Sequence, residues 1–482
     1  MKRFTFYLSL VAAATLWSCS TKETTTPVEN QPVFDGKLTE AEIQKGILTE
    51  EMLWKFGRIG EVALSSDGKT VIFGLTRYDL ATNKSKTDIY LVSTDGGEVK
   101  QLTNTPGPEF NLKFKPNSNK IGFLSSESGS SQIWEMDPDG QNKIKVSEIS
   151  GGINSFDYAP DGTKIWYCQD VKLEKDAHEL YPDLPLSNVR IDTALMYRHW
   201  NDWSDYSFSH IFIAGFENNI LQAGKDIMEG EMWDAPLAPG FDGSEIAWSP
   251  DSKMLAYTSK KLLRTASATS TNSDIYVYEP ETGKTTNLTS GMNGYDKNPV
   301  FSPDGKKIAW QSLEKPGYES DKHRLFVMDF ESGLKSDISL QWDQNADNVS
   351  WFSDSLMYLI SGIKGTTQIF RANPYTKQFT QITSGMHDYT GVFKADDKLI
   401  GVRMSMSMAS EIFAVNENTG EQNQLTFVNK AIYENIKMGK VEERWVKTTD
   451  GKQMLVWVIF PPHFDATKKY PALLYCQGGP QS

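Results

Sequence analysis

The chain has 482 residues, of which 39% are hydrophobic and 12% aromatic, and its formal net charge is −13. This length predicts two or three domains rather than a single core. An acidic chain without a basic stripe is unsuited to nucleic-acid binding, and the charge by itself identifies no partner.

The N-terminus has the pattern of an export signal. Two basic residues precede an apolar run from Phe4 to Trp17, which is too short to be a comfortable membrane span, and residues 1–18 are therefore predicted to be a signal peptide. Leu16-Trp17-Ser18-Cys19 resembles a bacterial lipobox, which implies that Cys19 is lipidated. Residues 19–37 would then be a polar tether. The protein would be exported to the bacterial periplasm or outer membrane, and only its N-terminal lipid would contact the membrane. The alternative is an ordinary cleaved signal with a chance cysteine.

Residues 38–58 are predicted to form an N-terminal helical segment. Thr39 and Glu42 have the spacing of a capping box, in which each side chain accepts the backbone N–H of the other residue. Thr49-Glu50-Glu51-Met52 provides a second possible helix start before the repeats begin.

A turn followed by an apolar strand recurs along most of the chain, and Ser302-Pro303-Asp304-Gly305 before Ile308-Ala309-Trp310 is its clearest copy. Proline presets one turn dihedral, aspartate bonds the backbone, and glycine tolerates the positive φ that closes the turn. A second apolar series, which includes Asp88-Ile89-Tyr90 and Glu411-Ile412-Phe413, follows the turns and also has seven members. The seven turn positions are Asp67, Asn117, Asp161, Asp251, Asp304, Asp354 and Asp396.

The spacings between these turn positions are 50, 44, 90, 53, 50 and 42 residues. A period of about 40–50 residues with several short strands in each repeat is typical of β-propeller blades. A chance scatter of such turns in a β-sandwich would not explain the second series. The sequence therefore predicts an all-β fold, a seven-bladed β-propeller over residues 59–432.

The interval of 90 residues predicts an insertion in one blade, between its first two strands, at residues 168–209. A hidden eighth blade is the alternative, but the segment has no turn motif of its own. Arg198, His199, Trp200 and Trp203 are close together in it. They are candidates for lining a substrate channel, because long loops inside compact domains are commonly functional. The other interpretation is an aromatic plug that packs the loop onto its own blade.

After residue 432 the repeat stops and a different pattern begins. A β-hairpin is predicted here, with one strand at Glu442–Lys447, a Thr-Asp-Gly-Lys turn at 449–452 and a second strand at Met454–Phe460. A further apolar strand is predicted at Ala472–Cys476, and it leads into Gln477-Gly478-Gly479-Pro480.

A strand that runs into Gly-Gly is how α/β-hydrolases place a backbone N–H in the oxyanion hole. Gln477, Gly478 and Gly479 are therefore oxyanion-loop candidates, and residues 433–482 are predicted to be the start of an α/β-hydrolase domain. Glycine suits this position because the backbone can approach a substrate carbonyl with no side chain in the way.

The propeller turns, the Trp-Val-Lys…Asp-Gly hairpin and the Lys-Tyr-Pro-x-Leu-Leu…Gly-Gly-Pro stretch together resemble the prolyl oligopeptidase family of serine peptidases. The likeness is to its acylaminoacyl-peptidase and dipeptidyl-peptidase branches, and it extends from Leu38 to the end. It implies a short peptide substrate and a serine nucleophile in a Gly-x-Ser-x-Gly elbow, followed by Asp and His. The family usually has His or Tyr before Gly-Gly, whereas this chain has Gln477. A backbone donor survives that change, but a tyrosine hydroxyl donor does not.

The 482 residues contain no Gly-x-Ser-x-Gly, and all six histidines precede the position that the resemblance implies for the catalytic one. The triad is therefore expected downstream of Ser482, and this chain is expected to be inactive alone. Because α/β sheets need helices on both faces, the chain is interpreted as the front of a longer peptidase whose propeller gates peptide access. The alternative is a non-catalytic periplasmic propeller that binds a partner protein.

No cofactor or metal site is predicted from the sequence. No cluster of histidines and cysteines has the spacing of zinc ligands. If Cys19 is lipidated, two cysteines remain, Cys168 and Cys476. Two are too few for a disulfide framework, and each is interpreted as a small buried apolar residue.

Overall fold

The computed structural model describes residues 32–476, without the side chain of Asp202. A short helix, α1 (Glu40–Lys45), opens this part of the chain, and the capping box between Thr39 and Glu42 is formed. Gly46 ends the helix in the left-handed conformation, so the predicted helical segment is a six-residue helix followed by a 3-10 turn at Met52–Trp54. No helix in this part of the chain is both long and apolar enough to cross a bilayer.

Seven antiparallel sheets form the blades, and each is built from strands that are close in sequence. Blade 1 consists of β1 (Arg58–Leu64), β2 (Thr70–Asp79), β3 (Lys84–Ser93) and β4 (Lys100–Gln101). Blade 2 consists of β5 (Glu109–Phe114), β6 (Ile121–Ser125), β7 (Gln132–Met136) and β8 (Ile144–Lys145).

Blade 3 contains the insertion and a fifth strand. Its elements, in chain order, are β9 (Ser155–Tyr158), β10 (Lys164–Lys172), α2 (Ala177–Leu180), β11 (Arg198–His199), β12 (Asp202–Trp203), β13 (Ser207–Glu217), β14 (Ile220–Leu221) and β15 (Lys225–Asp226). The pairing of β10 with β13 runs from Lys164 opposite Gly215 to Lys172 opposite Ser207. The excursion is therefore 173–206, and it lies between the second and third strands of the blade. The predicted place between the first two strands is wrong, and so are the predicted ends at 168 and 209, because both residues lie inside this ladder.

The remaining blades are regular four-stranded sheets. Blade 4 consists of β16 (Ile246–Trp248), β17 (Leu255–Ser259), β18 (Asp274–Glu279) and β19 (Lys284–Asn287), with α3 (Arg264–Thr269) between β17 and β18. Blade 5 consists of β20 (Asp296–Phe301), β21 (Lys307–Ser312), β22 (Arg324–Asp329) and β23 (Lys335–Asp337). Blade 6 consists of β24 (Asp347–Ser353), β25 (Leu356–Ile363), β26 (Thr366–Asn373) and β27 (Gln378–Gln381). Blade 7 consists of β28 (Asp388–Lys394), β29 (Leu399–Ser405), β30 (Met408–Val415) and β31 (Gln422–Gln424). The predicted seven-bladed propeller is confirmed.

A hairpin follows the propeller, as the sequence predicts. After a short helix, α4 (Lys430–Tyr433), β32 (Val441–Lys447) pairs with β33 (Gln453–Ile459). The strand predicted at Ala472–Cys476 is wrong, because residues 471–476 have no regular structure and Leu473 is 100% exposed. A strand requires a hydrogen-bonding neighbour, and none of the described strands pairs with this segment.

The repeated turn has the chemistry that its sequence predicts. The Ser302 hydroxyl donates to Asp304 Oδ1 at 2.6 Å, and the same oxygen accepts the Lys306 N–H at 3.0 Å. Gly305 closes the turn with φ +69°. The Asp304 N–H also donates to Asp354 Oδ1 at 3.1 Å, so turns of adjacent blades bind each other.

The Leu-Thr or Ile-Thr at the end of several repeats has a similar structural role. In blade 4, the Ile275 N–H donates to Thr289 Oγ1 at 3.0 Å, and that hydroxyl donates to Asp274 Oδ1 at 2.8 Å. Thr383 and Thr426 repeat the arrangement in blades 6 and 7. The hydroxyl therefore satisfies a buried N–H where the fourth strand ends.

The ring closes by contact between blades 7 and 1, without a shared strand. Asn429, 1% exposed, accepts the Gly57 N–H at 2.8 Å and donates to the Gly57 carbonyl at 2.8 Å. Behind this pair, Val71 and Phe73 of blade 1 pack in one cluster with Ile400 and Ile412 of blade 7. These two hydrogen bonds and the apolar seam help to join blades 7 and 1, which share no strand.

Strand polarity divides the propeller into two faces. Neighbouring strands of a blade are antiparallel, so the loop from its first strand to its second and the loop from its third strand to its fourth lie at the same end of the blade. We call this end of the propeller the turn face. The 2–3 connections and the links between blades lie at the other end, the insertion face. Gly365, in the β25–β26 turn, lies so close to β33 that a Cβ built on it would be 2.5 Å from Leu455 Cδ2. The insertion and the β32–β33 hairpin therefore lie on the same face.

Candidate functional site

The four predicted insertion residues lie in a short hairpin. Arg198 pairs with Trp203, and His199 pairs with the Asp202 backbone. Trp200 occupies the turn with φ +50° and is 74% exposed, whereas Trp203 is 51% exposed. The structure thus brings the four residues together on the insertion face, with both indole rings accessible.

The Trp203 indole is the centre of the hairpin's packing. Tyr197 stacks on it with ring centroids 6.0 Å apart. The Arg190 and Arg198 guanidinium carbons lie 5.2 and 5.7 Å from its ring centre. These ring contacts all lie inside the insertion. A channel-lining role for it stays a prediction.

A network of ionic and polar contacts fixes the base of the insertion. Asp176 caps α2 by accepting the backbone N–H groups of His178 and Glu179. Lys172, the last residue of β10, lies 2.6 Å from both the Asp176 and Glu179 carboxylates. The loop is therefore held where it leaves the blade, and its aromatic tip extends beyond that anchor.

His210 lies under the insertion on β13 and has a structural environment. Its Nδ1 lies 2.8 Å from Asp226 Oδ2, and its Nε2 lies 2.8 Å from the Glu231 carbonyl. Burial alone would lower the pKa of His210, but the hydrogen bond and charge of Asp226 raise it overall. With both ring nitrogens engaged, it is a packing residue, as the sequence predicts.

The inner strands of the blades contain polar residues that the sequence analysis missed. Asn111, with φ +54°, occupies a β-bulge in β5 and exchanges hydrogen bonds of 2.8 and 3.0 Å with the Phe156 backbone. Asn348 accepts the Val392 N–H at 2.9 Å in the same way. These side chains join the inner strands of neighbouring blades. An asparagine within a strand was the available sequence signal, because asparagine tolerates the left-handed conformation.

Buried carboxylates lie near the start of two inner strands. Asp296 is fully buried and accepts the Trp310 Nε1–H at 2.9 Å, while its second oxygen has no partner. Burial raises the pKa of Asp296 to about 7. Burial likewise raises the pKa of Glu245, which precedes β16, to about 7. Both carboxylates bind the scaffold, since Glu245 accepts the Leu237 N–H at 2.7 Å in the same way that Asp296 accepts from Trp310.

The remaining predicted site residues are partly outside the described chain. Cys19 and the oxyanion-loop candidates Gln477, Gly478 and Gly479 lie outside residues 32–476. Cys168 is buried, as predicted, and burial raises the pKa of its thiol to about 12. Cys476 is exposed, so the interpretation as a buried residue is wrong for it. Across residues 32–476, no three His, Cys, Asp or Glu residues are grouped as a metal site requires.

The chain is similar to known β-propeller domains and peptidases. The TolB β-propeller domain model matches residues 244–434. Dipeptidyl-peptidase 5 of Porphyromonas gingivalis is 41% identical over 436 residues, which are 90% of this chain and 64% of that protein. Dipeptidyl-peptidase 5 of Porphyromonas endodontalis is 37% identical over 476 residues, which are 98% of this chain and 68% of that protein.

A solved acylaminoacyl peptidase of Pyrococcus horikoshii has the same fold. It superposes with a TM-score of 0.67 at 17% identity, covering 88% of this chain and 61% of that one. The chain therefore spans roughly two thirds of the length of the relatives that it matches. The repeat, the closed seven-bladed ring and the sequence identity to these proteins all indicate the same family. The chain belongs to the prolyl oligopeptidase family, beside the dipeptidyl-peptidases 5.

Proposed function

We propose that this chain is the propeller-bearing part of an exported serine peptidase that removes dipeptides from short peptides. The observation that carries the proposal is the 37% identity to a dipeptidyl-peptidase 5 across 98% of the chain. That identity covers the propeller, the insertion and the β32–β33 hairpin together. A likeness confined to the repeats would support only a β-propeller.

In the proposed enzyme, the propeller restricts which peptides reach the catalytic site. The polarity of the strands supports this role, because the insertion and the hairpin that opens the hydrolase domain share one face. The Arg198–Trp203 hairpin extends from that face with Trp200 largely exposed. In this proposal, a peptide that approaches the hydrolase domain beneath the insertion face meets the Arg198–Trp203 hairpin. A folded protein is too large to enter the space between the propeller and the hydrolase domain.

The proposed chemistry is acyl transfer through a serine that a histidine activates and an aspartate orients. Gly478 and Gly479 would contribute a backbone donor to the oxyanion hole, worth about 2.7–4 kcal/mol of transition-state stabilisation. The 482 residues contain no Gly-x-Ser-x-Gly elbow. Because loss of the nucleophile costs on the order of 10⁶ in turnover, we place the triad in the part of the relatives' length that this chain does not cover.

Fluorophosphonate labelling and dipeptidyl-4-nitroanilide hydrolysis test the proposal. We expect neither labelling nor hydrolysis by the 482-residue chain, and both by the protein expressed from the uninterrupted reading frame of the gene. Labelling of the 482-residue chain would refute the placement of the nucleophile. A folded product of the whole reading frame that hydrolyses no dipeptidyl substrate would refute the peptidase proposal and favour the alternative of a propeller that binds a partner.

A further inference from the structure

The residue that opens the inner strand differs in charge between blade 1 and four other blades. Five inner strands contain a β-bulge, and in each of them one residue opens the strand shortly before the bulge. In blades 2, 5, 6 and 7 this residue is acidic, namely Glu109, Asp296, Asp347 and Asp388. In blade 1 it is Arg58. Blade 1 therefore has a cation where the repeat has a carboxylate.

The four carboxylates bind the scaffold, whereas Arg58 does not. Each carboxylate accepts a hydrogen bond at 2.7–3.0 Å, and the donors are the Thr105 hydroxyl, the Trp310 indole, the Gln311 amide and the Thr367 N–H. Within residues 32–476, no hydrogen bond or ion pair is formed to the Arg58 guanidinium. A guanidinium has five N–H donors, so this side chain keeps its full capacity to bind an anion.

Two aromatic rings hold the Arg58 side chain in place. Its guanidinium carbon lies 5.2 Å from the centre of the Trp54 ring and 4.7 Å from that of the Tyr78 ring. The two rings pack edge-on with their centroids 5.5 Å apart, so they form a corner. A cation–π contact attracts the guanidinium without using its N–H donors. Because the group is already positioned, it loses less side-chain entropy when it binds a ligand.

Arg58 is exposed and lies at the insertion face, where β1 begins. Its cross-strand neighbour is Thr76, which is in turn opposite Thr87. Directly opposite residues have their side chains on the same face of a sheet, with Cβ atoms about 4.5–5.5 Å apart. The Thr76 and Thr87 hydroxyls are 2.8 Å apart, and this hydrogen bond uses only one of their two protons. The other hydroxyl proton is available to an acceptor on the same face as Arg58.

We propose that Arg58 and the Trp54–Tyr78 corner bind the C-terminal carboxylate of a short peptide. The guanidinium fork matches the two carboxylate oxygens in a bidentate pair. The spare proton of the threonine pair is a further donor beside it. Trp54 is 41% exposed, so its ring offers apolar surface to the last residues of the peptide. That the ligand is a peptide rests on the proposed function, which brings peptides to the insertion face, whereas the binding itself requires no catalysis.

Calorimetric titration of the full 482-residue chain tests the site, with N-acetyl-dialanine, its C-terminal amide and acetate as the probes. We expect the acid to bind and its amide to bind at least about tenfold more weakly, because only the acid forms the charge-assisted pair. Acetate should also bind more weakly, since it lacks the contacts with Trp54. Equal binding of the acid and the amide, no binding of the acid, or acetate binding as tightly as the peptide would overturn the proposal.

Two substitutions locate the binding. Arg58→Gln removes the cation, and we expect the affinity for N-acetyl-dialanine to fall at least about tenfold. Trp54→Leu removes one ring of the corner and should lower it about two- to fivefold. Arg371→Gln, which removes an exposed guanidinium from β26, is the matched control and should bind like the unaltered protein. Full affinity in the Arg58 variant would contradict the assignment. Urea midpoints check that the variants fold, as we expect for exposed positions.

The same titration of the protein expressed from the uninterrupted reading frame identifies the occupant of the site. We expect this protein to bind N-acetyl-dialanine as the 482-residue chain does. Binding by the 482-residue chain alone would show that the remaining domain covers Arg58, and it would overturn the peptide assignment. Binding by a protein of the whole reading frame that hydrolyses no dipeptidyl substrate would support the site and refute only the proposed peptidase.

Discussion

The closure of the ring between blades 7 and 1 depends on Asn429, and Asn429→Ala measures what that contact contributes. The substitution removes two hydrogen bonds of 2.8 Å to Gly57 and leaves the Gly57 N–H and carbonyl without partners in a buried seam. Each unsatisfied buried group costs about 1–3 kcal/mol, so we expect the loss of partners for both groups to lower the free energy of unfolding by about 2–6 kcal/mol. This loss is a large fraction of the free energy of unfolding of a typical domain.

Urea denaturation followed by tryptophan fluorescence provides the assay, and amide exchange at Gly57 provides a local readout. Asn418→Ala, at an exposed position in blade 7, is the control and should stay within about 0.5 kcal/mol of the unaltered protein. The Gly57 amide should exchange faster in the Asn429 variant only. If Asn429→Ala were no more destabilising than the control, the other contacts between blades 7 and 1 would be enough to close the ring, and our reasoning would be wrong.

Three further predictions concern pH dependence, the insertion and the lipid anchor. The raised pKa of Asp296 means that its contribution to stability is present below pH 4 and is lost as the pH rises through about 7. The free energy of unfolding of Asp296→Asn should therefore rise by up to about 4 kcal/mol relative to that of the unaltered protein between pH 4 and pH 8. A difference between the two proteins that is the same at pH 4 and at pH 8 would contradict this. In the protein expressed from the uninterrupted reading frame, Trp200→Ala should lower kcat/KM for short peptides about fivefold while Leu334→Ala, on the turn face, does not. Unchanged kinetics in the Trp200 variant would dispose of a channel role. Cys19→Ala should abolish incorporation of labelled palmitate during expression in bacteria, and labelling that persists would place the lipid elsewhere.

The number and order of the blades could be predicted from the sequence because their signals are local. A Ser-Pro-Asp-Gly turn such as the one at Asp304 specifies its own geometry through proline, aspartate and glycine. The recurring apolar strands then report how many such units are present. The capping box at Thr39 and the hairpin around Gly451 were predictable for the same reason, since each depends on residues fewer than about ten positions apart.

The tertiary structure alone decided the ends of the insertion and the environment of its tip. Cys168 and Ser209 have ordinary strand sequences, and only the ladder between β10 and β13 shows that both lie inside it, Cys168 opposite Ile211 and Ser209 opposite Asp170. Trp200 and Trp203 have the composition of a buried cluster, yet both side chains are largely exposed. Exposure is set by what packs around a residue, and that information comes from distant parts of the chain.

Taken by itself, the sequence determined the repeat, the seven-bladed scaffold and the resemblance to the peptidase family. It contained no sign that Asn429 would bond Gly57 across the ring, or that the Arg58 guanidinium would lie over the Tyr78 ring. The first of these contacts joins residues that are 372 positions apart, and the second joins two strands. Hydrogen bonding and desolvation depend on distances in the folded ring, so they appear only once the blades have packed against each other.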